Sequence, residues 1–437
     1  MRIAGTVIII LVAMFGFVIP VKTVSASVAS RNSEYIMVGG QNGTWFESGQ
    51  VPRLERVDLS NHSVTNLTPV SGAGVVWTGG WNGSQWLIAG FGTAAGPKGS
   101  NPYLYLYDGQ KEINGGSQDQ YEAEATWRGG DVFAASYNGR EWLLSGLGSG
   151  ILPSYSQEQV NHLSLATFDG DNFTDLSGDL PEQMDGILYA NAWNGNLWLI
   201  GGGYDNTGVL YSYDGSVFQD LTPQIRRMVL DFGSVQSIAW NGNYWLIGGI
   251  NFLAKYENNQ FTDLTPQLAS ALGWTGTCCN SINAIAWNGR EWMIGGGTPV
   301  AQFPQSKAWL AYYSSNLFVN LSSILGDVGT DAFESSVLTI TSIEDSWFIG
   351  GYANGHAILY SCSGFTLTPL SKLVTKFTYV NWVGAGMLHD PPPPSVSPIH
   401  RPILASSSPR ALLIGADDRV LLLIVRFPSH ISNYLSA

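Results

Sequence analysis

The sequence predicts an all-β fold, a propeller of about seven four-stranded blades. Three observations predict it. A Trp-Asn-Gly-x-x-Trp unit recurs at steps of 47–56 residues, a second aromatic-turn-aromatic unit follows inside each period, and the composition favours strands. The 437 residues include 52 Gly, 16 Trp and 19 Tyr, while charged residues are 12% against about 25% in ordinary soluble domains. That mixture suits short, tightly turned strands with aromatic packing and disfavours a helical array.

The first unit is Trp81-Asn82-Gly83 to Trp86, Tyr137-Asn138-Gly139 to Trp142, Trp193-Asn194-Gly195 to Trp198, Trp240-Asn241-Gly242 to Trp245, and Trp287-Asn288-Gly289 to Trp292. A worn copy ends at Trp347, and a first copy lacks its leading half before Tyr35. Asn-Gly between two β-prone runs predicts a tight hairpin with both turn residues at positive φ, so strands a and b fold back on each other. The small pair after each second tryptophan, Gly-Gly in most copies, ends strand b where a side chain would obstruct the neighbouring blade or the turn. The in-register tryptophans, Trp382 among them, are expected to pack between blades.

The second hairpin joins strands c and d, as in Tyr213-Asp214-Gly215 to Phe218 and Tyr256-Glu257-Asn258 to Phe261. Strand d closes on Asp-Leu-Thr-Pro or a variant (Asp220, Asp263, Asn66), with proline at a strand end that needs no ladder donor. Near the other end, Phe377 to Trp382 reads as a strand a, with Trp382-Val383-Gly384 in the place of Trp-Asn-Gly. Pairing it with the N-terminal strands closes seven blades. An eighth, built from 411–425, is the alternative. The propeller is bounded at 35–386, and 387–437 is a Pro/Ser/Arg-rich tail.

Hydrophobic run, diglycine, then a tyrosine and a further aromatic resemble the kelch motif of kelch-repeat proteins and of the galactose oxidase central domain. The similarity covers roughly 35–382, and the Asn-Gly-x-x-Trp element is an addition that kelch repeats do not require. The resemblance implies a propeller. For activity it would imply copper held by two histidines and two tyrosines, one of them cross-linked to cysteine. Here His62, His162 and His356 are scattered, and His389, His400 and His430 lie in the tail. The expectation is therefore no catalytic residue, no metal and no cofactor.

Residues 1–26 read as a signal peptide, with Arg2, an apolar run over 3–21 and small residues around Ala26. An uncleaved N-terminal anchor is the alternative. Losing Arg2 and Lys22 moves the net charge from −13 to −15. Such a surface repels nucleic acid and anionic lipid headgroups. The expected setting is secreted or cell-surface, and sequons at Asn42, Asn61, Asn66, Asn82, Asn172 and Asn320 fit a glycoprotein. Three cysteines, Cys278, Cys279 and Cys362, exclude a disulfide scaffold.

Function is expected on the b–c and d–a connections, which fall on one face and read as long: 92–102, 148–161, 223–234, 266–280 and 326–335. Trp45, Trp127 and Trp274 lie in such loops outside the repeat register and suit stacking on sugar rings or gripping a protein partner. Arg226 and Arg227, with Asp231 nearby, form a candidate carboxylate reader. Asp327, Asp331 and Glu334 lack calcium-loop spacing. The sequence therefore reads as a non-catalytic propeller binding an extracellular protein or glycan on its long-loop face. The alternatives are a carbohydrate-active enzyme and a structural cell-surface protein.

Overall fold

The computed structural model describes residues 34–43, 50–68, 74–92, 101–108, 112–113, 130–150, 160–181, 185–204, 207–274, 280–299, 306–326, 335–387, 412–416 and 419–423. Seven four-stranded antiparallel sheets form a seven-bladed β-propeller. Blade 1 takes its inner strand a, Tyr379–Met387, from the C-terminal side and strands b, c and d, Glu34–Asn42, Val51–Asp58 and Val64–Asn66, from the N-terminal side. Blades 2 to 7 follow in chain order, with inner strands Gly74–Trp81, Asp131–Tyr137, Ile187–Trp193, Val235–Trp240, Ser281–Trp287 and Ser335–Ile343. Each inner strand packs on the next, and Tyr379–Met387 packs on both Ser335–Ile343 and Gly74–Trp81. The ring is closed as the terminal strands predict. Leu412–Ala416 pairs with Arg419–Leu423 as a two-stranded sheet in a separate unit, so the four-stranded blades number seven.

The a–b turns correct the expected geometry. Trp81 pairs with Trp86, so the loop has four residues rather than two. Only its glycine is left-handed, at φ values between 93° (Gly289) and 99° (Gly195) in the five copies. The asparagine works through its side chain. Asn241 Oδ1 accepts the backbone N–H groups of Asn243 (2.9 Å) and Tyr244 (2.8 Å), and Asn82, Asn138, Asn194 and Asn288 do the same. The motif is an Asx turn that the short amide oxygen closes. The two-residue turn with both φ positive occurs instead in c–d, at Asn258-Asn259 and Ser315-Asn316.

A Cβ at Gly242 or Gly289 meets nothing within 4 Å, so the constraint there is φ alone. Gly242→Val and Gly289→Val are expected to cost more than about 1 kcal/mol each through backbone strain. Melting temperatures equal to wild type for both would refute the assignment.

The second tryptophan of each unit is buried, with Trp198 at 0% and Trp245 at 3% exposure. It packs on the preceding blade, as Trp245 does on Leu199, Leu210 and Leu221. It also faces its partner across the hairpin, Trp193 to Trp198 at 4.4 Å between ring centroids, and the ladder continues through Tyr213 to Phe218. Trp382 differs from expectation. Its strand runs on to Met387, and Trp382 pairs with Gly39 rather than standing at a hairpin. Its ring fills the space that Gly79 leaves in blade 2 and meets Trp86 edge-on at 5.5 Å.

Asp-Leu-Thr-Pro is a clamp leading into a helix, not a bare strand end. Asp220 Oδ1 accepts the Thr222 amide at 2.8 Å, Thr222 Oγ1 accepts the Leu210 amide of strand c at 3.0 Å, and Pro223 enters helix α1, Thr222–Ile225. The same bonds at Asp263 and Thr265 start helix α2, Thr265–Leu272. Proline is tolerated in a first helical turn, whose amides have no intrahelical partner. Several b–c connections are also shorter than expected. Gly249 pairs with Phe252, and Ala353 with His356.

Candidate functional site

Every blade carries the same irregularity on its inner strand. One extra residue bulges where strand a passes the small pair of strand b: Trp77, Phe133, Gln236, Asn283, Leu338 and Asn381, with Tyr189 at the same spacing in blade 4. The second residue of the small pair is glycine in all seven blades, and a Cβ there would strike strand a. The nearest atom is a backbone carbonyl oxygen at 1.8 Å (Gly296) to 2.2 Å (Gly249). The first residue faces the next blade instead, as Gly201 does Val235, and tolerates Ala89 and Ser145 in blades 2 and 3. The glycine thus lets strand a bulge, and the bulge re-aims one side chain per blade.

These seven side chains sit on the innermost strands, in the second to fourth position after each d–a connection, at the end of the channel that the b–c and d–a loops face. Trp77, Phe133 and Tyr189 are half-buried. They meet one another in series, Trp77 stacked on Phe133 at 5.1 Å and Phe133 edge-on to Tyr189 at 5.4 Å. Innermost position, mutual contact and partial exposure together make them an aromatic arc lining the channel mouth. The opposite arc is amide-rich. Asn283 Nδ2 donates to Ser336 Oγ (2.9 Å) and the Val337 carbonyl (3.1 Å) of blade 7. Asn381 Nδ2 donates to the Val76 carbonyl at 3.4 Å, and its Oδ1 is buried without a hydrogen-bond partner among the described residues.

Asp131 opens the inner strand of blade 3, two residues before Phe133. Burial pushes its carboxyl up to about 6, against the lowering effect of a hydrogen bond from Trp77. An acid raised in the folded state costs stability wherever it is ionised. The cost is absent below about pH 4, grows as pH rises to 6 and is complete above it. Asp131→Asn is therefore expected to stabilise the fold at pH 7 by about 1–3 kcal/mol, partial exposure trimming the full shift. The gain should vanish by about pH 4. Equal melting curves at pH 7, or a gain persisting at pH 4, would contradict it.

Of the loop residues singled out from sequence, Trp45 and Trp127 lie outside the described residues, as do Cys278, Cys279, Asp327, Asp331 and Glu334. Trp274 is half-buried after α2, edge-on to Trp309 at 5.4 Å, and its backbone N–H donates to the Ala269 carbonyl. Arg226 is exposed, and its Nη2 donates to the Gly208 carbonyl at 2.9 Å, which ties the loop to blade 4. Arg227 is exposed beside it, near Met228 and Leu230, the latter 96% exposed. Cys362 is buried and forms no disulfide among the described residues. The sequence reading missed Trp77, Phe133, Tyr189 and Asp131. The signal for the arc was the position four residues before the first aromatic of each a–b unit, visible only after the repeats are aligned on the bulge.

No family model matches the chain, and no curated protein matches it in sequence. Solved structures similar to it include the "extracellular domain of the putative hybrid two component system" of B. thetaiotaomicron, at 14% identity and TM-score 0.42. That match covers 68% of this chain and 33% of the other, so this chain spans about a third of that length. A Pyrococcus horikoshii acylaminoacyl peptidase is 10% identical over 85% of this chain and 52% of its own, at TM-score 0.42. Sqt1 of Chaetomium thermophilum is 11% identical over 79% of this chain and 86% of its own, at 0.39. All three are too distant to carry a function across. Among the described residues no helix is long and apolar enough to cross a membrane.

Proposed function

We propose that this chain is an extracellular, kelch-like, non-catalytic propeller that binds a glycan or a protein on the face bearing its b–c and d–a loops. The observation that carries the reading is the aromatic arc of Trp77, Phe133 and Tyr189 at the channel mouth. Rings fixed on a rigid inner strand offer apolar area at little entropic cost, which suits sugar faces and protein side chains alike. Trp45, Trp127, Trp274, Arg226 and Arg227 belong to the same face in this reading. Export rests on the N-terminal apolar run, and Asn61, Asn66, Asn172 and Asn320 are exposed sequons for glycosylation.

Arrays of glycans and of extracellular proteins probed with the wild-type chain, Trp77→Ala and Phe133→Ala test it. Each variant is expected to weaken capture by about 1–3 kcal/mol, the range for losing a binding anchor. Capture of the same ligands at equal strength by both variants overturns the site.

Asp131 favours the alternative of a carbohydrate-active enzyme, because a carboxyl titrating near 6 suits a general acid. Such chemistry needs a second carboxylate about 5–9.5 Å away. Release of reducing ends from an oligosaccharide by wild type but not by Asp131→Asn would decide for the enzyme.

A further inference from the structure

The connection from blade 4 to blade 5 sends its apolar side chains in two directions. Ile225, Val229 and Phe232 are buried in the seam between the two blades, while Met228 and Leu230 between them are 49% and 96% exposed. The backbone that holds these two outward is hydrogen-bonded. The Met228 and Val229 N–H groups donate to the Ile225 carbonyl at 2.9 Å, and the Gly233 N–H to the Asp231 carbonyl at 2.9 Å. Blade 4 grips the segment twice more. Arg226 Nη2 donates to the Gly208 carbonyl at 2.9 Å, and the Gly208 N–H donates to the Phe232 carbonyl at 3.3 Å. Gly208 pairs with Gly203, which brings Tyr204, 55% exposed at the b–c turn, to the same corner. We infer that this corner, made by Tyr204, Arg226, Arg227, Met228 and Leu230, docks an acidic, apolar segment of a partner protein. The inference rests on the long-loop face being the binding face, and at this corner it selects protein over glycan.

Exposure marks the corner. Eight large apolar side chains are exposed among the described residues, and five of them, Val64, Val217, Leu317, Val319 and Phe365, lie on outer strands d or at c–d turns. The remaining three, Tyr204, Met228 and Leu230, are on the long-loop face, and they stand together. Apolar groups held in water on a fixed backbone lose little entropy when a partner covers them.

Charge selects the occupant. Arg140, Lys255 and Arg290 each pair with a carboxylate of this chain, whereas Arg226 and Arg227 form no ion pair among the described residues. Arg226 spends one guanidinium N–H donor on Gly208, and the Arg227 side chain spends none among the described residues. Two such groups against Asp231 leave the segment 226–231 positive on a chain of −13, and each suits a carboxylate from outside. A glycan would leave Leu230 and Met228 without an apolar partner. An anionic bilayer would face the whole acidic chain, whereas a protein segment meets only the corner. An acidic, apolar segment satisfies both kinds of side chain at once.

A peptide library displayed on phage and selected on the full chain tests the inference. Enriched peptides are expected to combine Asp or Glu with Leu, Ile, Val or Phe, and one of them, synthesised, is titrated against the variants. Leu230→Ser should weaken binding about tenfold or more, the effect of losing an anchor, while melting with wild type as a surface substitution does. Arg227→Glu should weaken it as much, Arg227→Lys less, and added salt should weaken it further. Trp77→Ala should leave it unchanged, which separates this corner from the aromatic arc. Enriched peptides that lack acidic residues, or that bind Leu230→Ser as well as wild type, overturn the inference. So does a selection that enriches nothing. Vesicles of phosphatidylcholine and phosphatidylserine that sediment the wild-type chain but not Leu230→Ser would place the corner on a membrane and overturn it too. A peptide lost with Trp77→Ala but kept by Leu230→Ser overturns this corner alone and leaves the wider reading standing.

Discussion

Gly202→Ala is expected to destabilise the propeller by more than about 3 kcal/mol, although it adds a single methyl group. The new Cβ would lie 2.0 Å from the Ile187 carbonyl oxygen and 2.7 Å from Leu188 Cα. Both neighbours are backbone, so no rotamer change relieves the clash. The strands must part where blade 4 bulges, and ladder hydrogen bonds go with them. Overpacking usually costs about 1–3 kcal/mol and more when backbone must yield. The matched control is Gly201→Ala, one residue earlier. Its Cβ meets the side chain of the next blade rather than backbone of its own sheet, Val235 Cγ1 at 2.5 Å and Cβ at 2.8 Å, so blade 5 must shift slightly to admit it. Blades 2 and 3 already hold Ala89 and Ser145 there, so about 1 kcal/mol is expected. Denaturant midpoints for the two variants decide the matter, and equal shifts would sink the account of the bulge.

Trp245→Ala should be nearly as severe, at about 3–5 kcal/mol, the usual cost of emptying a large core site. Trp245 is 3% exposed and packs on Leu199, Leu210, Leu221, Ile225 and Phe232 as well as on Trp240 of its own hairpin. It closes the seam between blades 4 and 5, and no flexible neighbour stands ready to fill the hole. Trp274→Ala makes the comparison useful. That ring is half-buried and touches Trp309 edge-on, so its removal should cost about 1 kcal/mol. A Trp245→Ala protein melting alongside Trp274→Ala would mean that the seam is held elsewhere.

The blade count and ring closure were legible in the sequence because tandem hairpins repeat their turn chemistry. Aromatic-Asn-Gly-x-x-Trp announces itself five times, four of them led by Trp, and the missing strand a before Tyr35 finds its counterpart near Trp382. What the repeat could not show was how each turn is made. Asn-Gly serves two turn geometries, and the choice of the four-residue Asx form depends on a side-chain hydrogen bond that the dipeptide does not display. The register of Trp382 was lost for a related reason. A closing strand has no hairpin after it, so nothing local marks where it ends.

The site was harder to read. Loop tryptophans attract notice because they break the pattern, whereas Trp77, Phe133 and Tyr189 lie inside strands that look like core. A bulge turns one residue of such a strand out of the alternation, and alternation is what sequence reading relies on. Aligning the strands on the small pair would have placed the three rings at one position.

Closure through a borrowed strand also orders events in time. Residues 34–66 emerge early in synthesis, yet the strand that completes their sheet is made about three hundred residues later. Until Tyr379–Met387 arrives, the edge of Glu34–Asn42 is open and able to pair with any passing strand, including that of a sister chain. The first blade to be made is therefore the last to be finished. A chain shortened just before residue 379 should fail as a whole ring rather than lose one blade, and should be found with chaperones or in aggregates.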